Sequence, residues 1–104
     1  MSEPIIARRR VEIVNPYGLH MRPADKFVRL ARSYQAEVWV HHGETKANGK
    51  SILDMAALAA ECGTMLDLEA SGPDAEEAVA ALADLVAAGF HMSEEDYRQP
   101  GDRP

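Results

Sequence analysis

Apolar and polar residues alternate in several short stretches of the chain, a pattern that favours β-strands. In residues 5–14, valine and isoleucine alternate with arginine and glutamate, and residues 64–72 alternate leucine with aspartate and glutamate. A period of two is typical of a strand with one buried and one solvated face. Residues 36–42 predict another strand, and residues 44–50 predict a weaker one that ends near an Asn-Gly turn.

Three other stretches repeat their apolar residues at spacings of three and four, which favours amphipathic helices. The first runs from Met21 to about Tyr34 and has Pro23 in its first turn, where a missing N–H costs little. The second, residues 51–61, opens on a serine and stops before a glycine. The third, residues 74–88, opens with an Asp-x-x-Glu signal that is close to a capping box.

The order of these elements is strand, helix, strand, strand, helix, strand, helix. We predict an α+β two-layer sandwich, in which one mainly antiparallel sheet of four strands is covered on one face by three helices. A chain of 104 residues is long enough for one domain with a modest core. We assign that domain to residues 1–90 and predict that the polar segment 91–104, with its two prolines, is a flexible tail.

Composition and charge narrow the classes of function. The net charge of −6 disfavours nonspecific binding to nucleic acid, because phosphate backbones select basic faces. The single cysteine, Cys62, excludes an internal disulfide, and we expect it to be buried or half-buried at a helix end. We expect no metal site, since the adjacent His41 and His42 point to opposite faces of a strand. We expect no cofactor, since the sequence has no glycine loop that could cradle a phosphate. No apolar run reaches the length of a signal peptide or the roughly 20 residues of a membrane span, so we expect a cytoplasmic protein.

The segment NPYGLHMRPADKF, residues 15–27, places a histidine at the mouth of the first predicted helix. Exposed amides and the helix dipole make such an end favourable for anions, and the forked cation of Arg22 suits phosphate oxygens. A neutral ring nitrogen of His20 is a nucleophile, so this site has the parts needed to accept a phosphoryl group. A plain surface histidine or a substitute N-cap would give the same local pattern, and the residue types alone leave these alternatives open.

Seven consecutive residues, Gly18 to Ala24 (GLHMRPA), resemble the motif G-[LI]-H-x-R-P-A of the HPr family. These are the histidine-containing phosphocarrier proteins of the phosphoenolpyruvate-dependent sugar phosphotransferase system. The resemblance extends over about residues 10–90 and implies the family's open-faced β-sandwich. It also implies that His20 becomes a pros-phosphohistidine and that Arg22 stabilises the phosphate.

The same resemblance implies partners. Enzyme I, itself phosphorylated by phosphoenolpyruvate, would be the donor and an EIIA domain the acceptor, so the chain would be a carrier rather than an independent enzyme, and a monomer suits that role. The resemblance implies an apolar docking patch that includes Ile52, Leu53 and Ala56. Arg29 and Arg32 follow Arg22 along the first helix, and this basic stripe would suit an acidic partner or form an ordinary solvated face. Two alternatives remain open: an HPr-like regulator of the nitrogen-branch or carbon-control type, whose phosphorylation state controls partner binding, and a non-catalytic α+β binding module.

Ser51 has two interpretations. Its position before the second helix, with Asp54 three residues later, predicts an N-cap whose hydroxyl accepts a hydrogen bond from the third helical amide. The resemblance implies instead a regulatory phosphoserine, made by an HPr kinase/phosphorylase in relatives of the Gram-positive type. The carboxylate of Asp54 would repel a phosphoserine, so the cap is the favoured interpretation.

Overall fold

The computed structural model of the protein describes residues 5–92, which form four strands and three α-helices. The strands are β1 (Ile6–Glu12), β2 (Glu37–His42), β3 (Thr45–Asn48) and β4 (Met65–Ser71). The helices are α1 (Met21–Arg32), α2 (Ile52–Ala57) and α3 (Ala75–Ala87), and a short 3-10 turn follows at Gly89–His91. The predicted order of elements is therefore correct.

The four strands form a single antiparallel sheet in the order β1-β4-β2-β3. β4 lies between β1 and β2, and its Leu68 is opposite Arg9 on one side and Val40 on the other. The hairpin of β2 and β3 forms the other edge and pairs Trp39 with Asn48. The predicted open-faced α+β sandwich is confirmed.

The alternation of residues along the strands separates a buried face from a solvated one. Inward side chains of the central strands, such as Val40 and Leu68, are fully buried and pack in one core with Phe27 of α1 and Leu82 of α3. On the other face, charged side chains pair across strands, as in the contacts Arg8–Glu69 and Arg10–Asp67, both 3.1 Å long. Exposed pairs contribute at most about 1 kcal/mol each, so burial of the inner face holds the layers together.

Helix α2 is shorter than the sequence predicts, because it ends at Ala57 rather than near residue 61. Ala59 has a left-handed φ of 49°, which breaks the helix, and the freed carbonyl of Ala60 accepts a hydrogen bond from the amide of Leu19. Cys62 consequently lies in a turn before β4. The prediction that Cys62 is buried or half-buried at a helix end is wrong, because its side chain is exposed.

Asp74 stands at the N-cap position of α3, but its carboxylate makes no cap hydrogen bond. Its two oxygens instead accept the backbone N–H groups of Gln35 and Ala36, each at 2.8 Å. The hydrogen bond from Gln35 is the largest of the effects that lower the pKa of Asp74 below its ordinary value. The carboxylate therefore joins α3 to the segment that enters β2, a role that the local capping-box pattern did not indicate.

The described part of the chain ends beside α1. Phe90 is fully buried, and the carbonyl of His91 accepts a hydrogen bond from Lys26 Nζ at 3.2 Å. The predicted flexible tail lies outside the described residues from residue 93 onward, so its boundary with the domain stays a prediction. The longest described helix, α3, has 13 residues, which is shorter than a bilayer span.

Candidate functional site

The turn before α1 is built around a buried asparagine. Asn15 is only 3% exposed, and its Nδ2 donates to the Gly18 carbonyl at 2.6 Å while its own carbonyl accepts from the Gly18 amide at 3.1 Å. Leu19 is buried and donates its amide to the Ala60 carbonyl at 2.7 Å. These contacts fix the backbone immediately before His20 from two directions.

Gly18 allows the turn to approach the segment after α2. It has a φ of 74°, in the left-handed region that favours glycine. A Cβ at this position would clash with the carbonyl oxygen of Ala60 and would lie 3.0 Å from the Cα of Glu61. A glycine is therefore required here both for the backbone conformation and for the close approach.

His20 is the N-cap residue of α1. Its backbone is extended, with a φ of −103° and a ψ of −166°, its side chain makes no cap hydrogen bond, and its carbonyl accepts from the Ala24 amide at 3.0 Å. The side chain is half-buried, and its Nε2 atom exposes less than 1 Å². Nε2 is therefore closed to a reagent that approaches from solvent.

The start of α1 has the electrostatic features that the sequence predicts for an anion site. Ala24 donates the first intrahelical hydrogen bond, so the amides of Met21 and Arg22 precede the helical ladder, and Pro23 has no N–H. The first turn contains no acidic residue, so the positive end of the helix dipole is not neutralised there. Arg22 is exposed, at the second position of the helix.

Helix α1 carries four basic side chains and one acidic side chain, whereas the whole chain has a net charge of −6. Arg29 pairs with Asp25 one turn earlier, at 2.9 Å. Arg32 donates through Nε to the Lys50 carbonyl at 3.0 Å and so connects the end of α1 to the start of α2. The basic charge that the sequence predicts is present, and part of it also stabilises the contact between the two helices.

Apolar side chains are exposed in the turn before α1 and at the starts of α1 and α2. Leu53 is 76% exposed, Tyr17 70% and Met21 54%, whereas the predicted docking residues Ile52 and Ala56 are half-buried. We refer to Tyr17, Met21, Ile52 and Leu53 as the apolar patch. The sequence analysis did not select Tyr17 and Met21 as docking residues. Apolar periodicity identifies residues that face a core, and these two exposed residues lie outside that pattern.

A cavity of about 380 Å³ lies between α1 and α2, next to the apolar patch. Its lining combines apolar and charged side chains: Met21, Arg22, Asp25, Lys26 and Ile52. Sequence reasoning did not select Lys26, although its spacing of four from Arg22 places both on one face of a helix. Within residues 5–92, no three His, Cys, Asp or Glu side chains form a cluster that could hold a metal ion.

Ser51 is the N-cap of α2. Its Oγ accepts a hydrogen bond from the Asp54 amide at 3.2 Å, the third helical amide, as the capping interpretation predicts. In a capping box the Asp54 carboxylate would accept a hydrogen bond from the Ser51 amide. Here it accepts instead from the Asn48 amide, at the end of β3, at 3.0 Å. Both side chains thus stabilise the turn between β3 and α2.

We expect Ser51→Ala to lower the free energy of unfolding by about 1 kcal/mol, because the mutation removes this cap. Ser51→Thr keeps a hydroxyl and should stay within a few tenths of a kcal/mol of the wild type. Urea titration followed by the fluorescence of Trp39, the single tryptophan, measures both variants. Equal stability of Ser51→Ala and the wild type would contradict the capping role.

Comparison with known proteins identifies the family. The family model described as "PTS HPr component phosphorylation site" matches residues 7–88. The chain belongs to the HPr family. The family predicted from the GLHMRPA motif is thereby confirmed. Its relatives include proteins named HPr and proteins named NPr.

Two curated relatives illustrate the similarity. The "Phosphocarrier protein HPr" of Neisseria meningitidis serogroup B is 41% identical over 87 residues, which cover 84% of this chain and 98% of that protein. The "Phosphocarrier protein NPr" of Escherichia coli K12 is 38% identical over 84 residues, which cover 80% of this chain and 93% of that protein. Among solved structures, HPr-C-His from Thermoanaerobacter tengcongensis is 38% identical with a TM-score of 0.79, over 84% of this chain and 98% of that one.

Proposed function

We propose that this HPr-family protein accepts a phosphoryl group on His20 from enzyme I and passes it to an EIIA-type acceptor of the phosphotransferase system. The observation that carries the proposal is the position of His20 as the N-cap of α1, with a half-buried ring whose Nε2 is inaccessible. Nδ1 is then the nitrogen that forms the pros-phosphohistidine.

The transfer uses the neutral ring of His20. The lone pair of Nδ1 attacks the phosphorus, the N–P bond forms as the bond between phosphorus and the donor breaks, and the ring proton resides on Nε2. The reverse sequence returns the phosphoryl group to the next acceptor. The protein needs no pocket for a small substrate, because the partner supplies the group.

The start of α1 stabilises the phosphorylated product. The helix dipole contributes about 0.3–1 kcal/mol for an exposed anion, and each hydrogen bond from Arg22 or from a helical amide to a phosphate oxygen contributes about 1.5–3 kcal/mol. A few contacts of this size hold the phosphoryl group without trapping it. That balance suits a carrier, which must also release the group.

The surroundings of His20 suit acidic partners with an apolar contact surface. The basic side chains of α1, including Arg29 and Arg32, attract such partners and speed their encounter. The apolar patch, together with Ala56, supplies the contact area. Enzyme I and EIIA would use this surface in turn, which a monomeric carrier permits.

Relatives named HPr and NPr have similar identities to this chain, 41% and 38%. A carrier of the nitrogen branch or of the carbon-control type would bind regulators according to its phosphorylation state. Ser51 would be the residue for an HPr kinase/phosphorylase, but its hydroxyl caps α2 and Asp54 lies beside it. We therefore propose a structural role for Ser51.

The test uses the purified protein, enzyme I and labelled phosphoenolpyruvate. We expect one acid-labile phosphate per chain, which mass spectrometry locates on His20 and ¹⁵N-³¹P coupling assigns to Nδ1. Subsequent addition of sugar-specific or nitrogen-branch EIIA shows which acceptor takes the label. An acid-stable label, or a label on another residue, would contradict the proposal.

A further inference from the structure

The side chain of Asn15 has an unusual hydrogen-bonding state. Among residues 5–92, Asn15 is the one polar or charged residue that is buried. Its Nδ2 donates to the Gly18 carbonyl at 2.6 Å, but its buried Oδ1 accepts no hydrogen bond from that part of the chain. A buried acceptor without a donor lowers stability, because it has given up its hydrogen bonds to water. Stability alone therefore does not explain an amide side chain at this position.

The Gly18 carbonyl connects Asn15 to His20. It accepts a hydrogen bond from Asn15 Nδ2 and a second one, 3.2 Å long, from the backbone amide of His20. A carbonyl oxygen has two lone pairs, so it can accept from both donors at once. The orientation of this carbonyl consequently affects where the backbone of His20 lies.

Two opposed hydrogen bonds hold the peptide group between Gly18 and Leu19. The amide of Leu19 donates to the Ala60 carbonyl at 2.7 Å, and the Gly18 carbonyl accepts from Asn15. The carbonyl and the N–H of a planar trans peptide point in opposite directions, so removal of either bond allows the plane to tilt. Gly18 has no Cβ and therefore offers little resistance to such a tilt.

We infer that Asn15 is a positioning residue for phosphoryl transfer to His20. Its side-chain amide holds the peptide group that precedes His20 in the orientation at which the ring meets the donor. Asn15 is only 3% exposed, so it acts through Gly18 and not by contact with the partner. This inference rests on the proposed function of His20, whereas the hydrogen bonds themselves do not.

Asn15→Leu tests the positioning role by kinetics. The variant keeps a side chain of similar size, removes the donor and also removes the unpartnered Oδ1, so urea titration should give nearly the stability of the wild type. Under conditions where both proteins are folded, kcat for phosphorylation by enzyme I should fall about tenfold, because a small displacement of a reacting group slows transfer. KM for the protein should stay within about twofold, because the docking surface is unchanged. Equal kcat values, or a change confined to KM, would overturn the inference.

Asn15→Asp has the same shape and a donor that depends on pH. An ionised carboxylate only accepts hydrogen bonds and repels the Gly18 carbonyl, whereas a protonated carboxyl donates to it. The ratio of its kcat to that of the wild type should therefore rise about three- to tenfold from about pH 8 to about pH 5. Asn48→Asp is the matched control, because a carboxylate there can still accept from the Lys50 amide, and its ratio should not change with pH. A constant ratio for Asn15→Asp would contradict the positioning role.

The amide resonance of His20 tests the contact without enzyme I. In Asn15→Leu the His20 amide no longer shares the Gly18 carbonyl with Asn15, so its resonance should shift, while that of Val40 in the central sheet should stay in place. An unchanged His20 resonance would overturn the inference. Failure of enzyme I to phosphorylate the wild type would contradict the phosphocarrier function itself. Labelling of the wild type together with wild-type kcat values in both Asn15 variants would overturn the positioning role alone.

Discussion

The variant His20→Asn should accept no phosphoryl group from enzyme I while folding at least as stably as the wild type. Asparagine has no nucleophilic ring nitrogen, so the N–P bond cannot form. It is, however, one of the preferred N-cap residues, whereas the side chain of His20 makes no cap hydrogen bond. A gain of up to about 1 kcal/mol in the free energy of unfolding is therefore expected. Phosphorylation assays with labelled phosphoenolpyruvate and urea titrations measure the two effects.

The matched control for this substitution is His42→Asn. His42 is exposed at the end of β2, and its replacement should leave phosphorylation at the wild-type rate. Loss of labelling in His20→Asn together with retained stability separates a chemical role from a structural one. Acid-labile labelling of His20→Asn at the wild-type level would exclude His20 as the acceptor.

Much of the fold could be predicted from local patterns. The alternation of Val11 and Ile13 with charged residues correctly indicates which side chains are buried, because a strand directs successive residues to opposite faces. The start of α1 after His20 follows from the turn residues and from Pro23. These features depend on residues close in sequence, and a single sequence contains that information.

The errors occur where distant contacts outweigh local preference. The alanine-rich residues after Ala57 favour helix, but the hydrogen bond from Leu19 to the Ala60 carbonyl requires the chain to leave the helix there. Asp74 has the local sequence of a helix cap, yet it binds the amides of Gln35 and Ala36. No local pattern contains these pairings.

The candidate site likewise contains residues that the local sequence selects and contacts that only the fold creates. His20 and Arg22 belong to a contiguous motif, so the sequence selects them directly. The contact of Lys26 with the His91 carbonyl joins residues 65 positions apart, and it becomes evident only when the fold places the turn after α3 beside α1. The exposure of Tyr17 likewise depends on the turn that Asn15 holds in place.

The variant Gly18→Ala should lower the free energy of unfolding by about 2–5 kcal/mol, a large share of the total for a domain of this size. The left-handed conformation costs about 1–2 kcal/mol for a residue with a Cβ. The clash with the Ala60 carbonyl oxygen adds about 1–3 kcal/mol, since backbone must move on one side or the other. Urea titration followed by Trp39 fluorescence measures the change.

Gly43→Ala is a matched control for the close approach. Gly43 has a similar φ of 60°, but a Cβ there would have nothing within 4 Å, so the variant should lose only the conformational part, about 1–2 kcal/mol. The difference between the two variants isolates the contact of Gly18 with the segment after α2. Equal losses would show that this contact does not determine the turn.

Gly18→Ala should also slow phosphorylation, even under conditions where the variant is fully folded. The His20 amide donates to the Gly18 carbonyl at 3.2 Å, so a displaced residue 18 also displaces the ring that must meet the donor. A misplacement of about 1 Å can reduce a transfer rate by about a hundredfold, and we expect a reduction of about ten- to a hundredfold. Gly43→Ala should keep the wild-type rate of phosphorylation. A decrease in that variant too would attribute the effect to lost stability rather than to the position of His20.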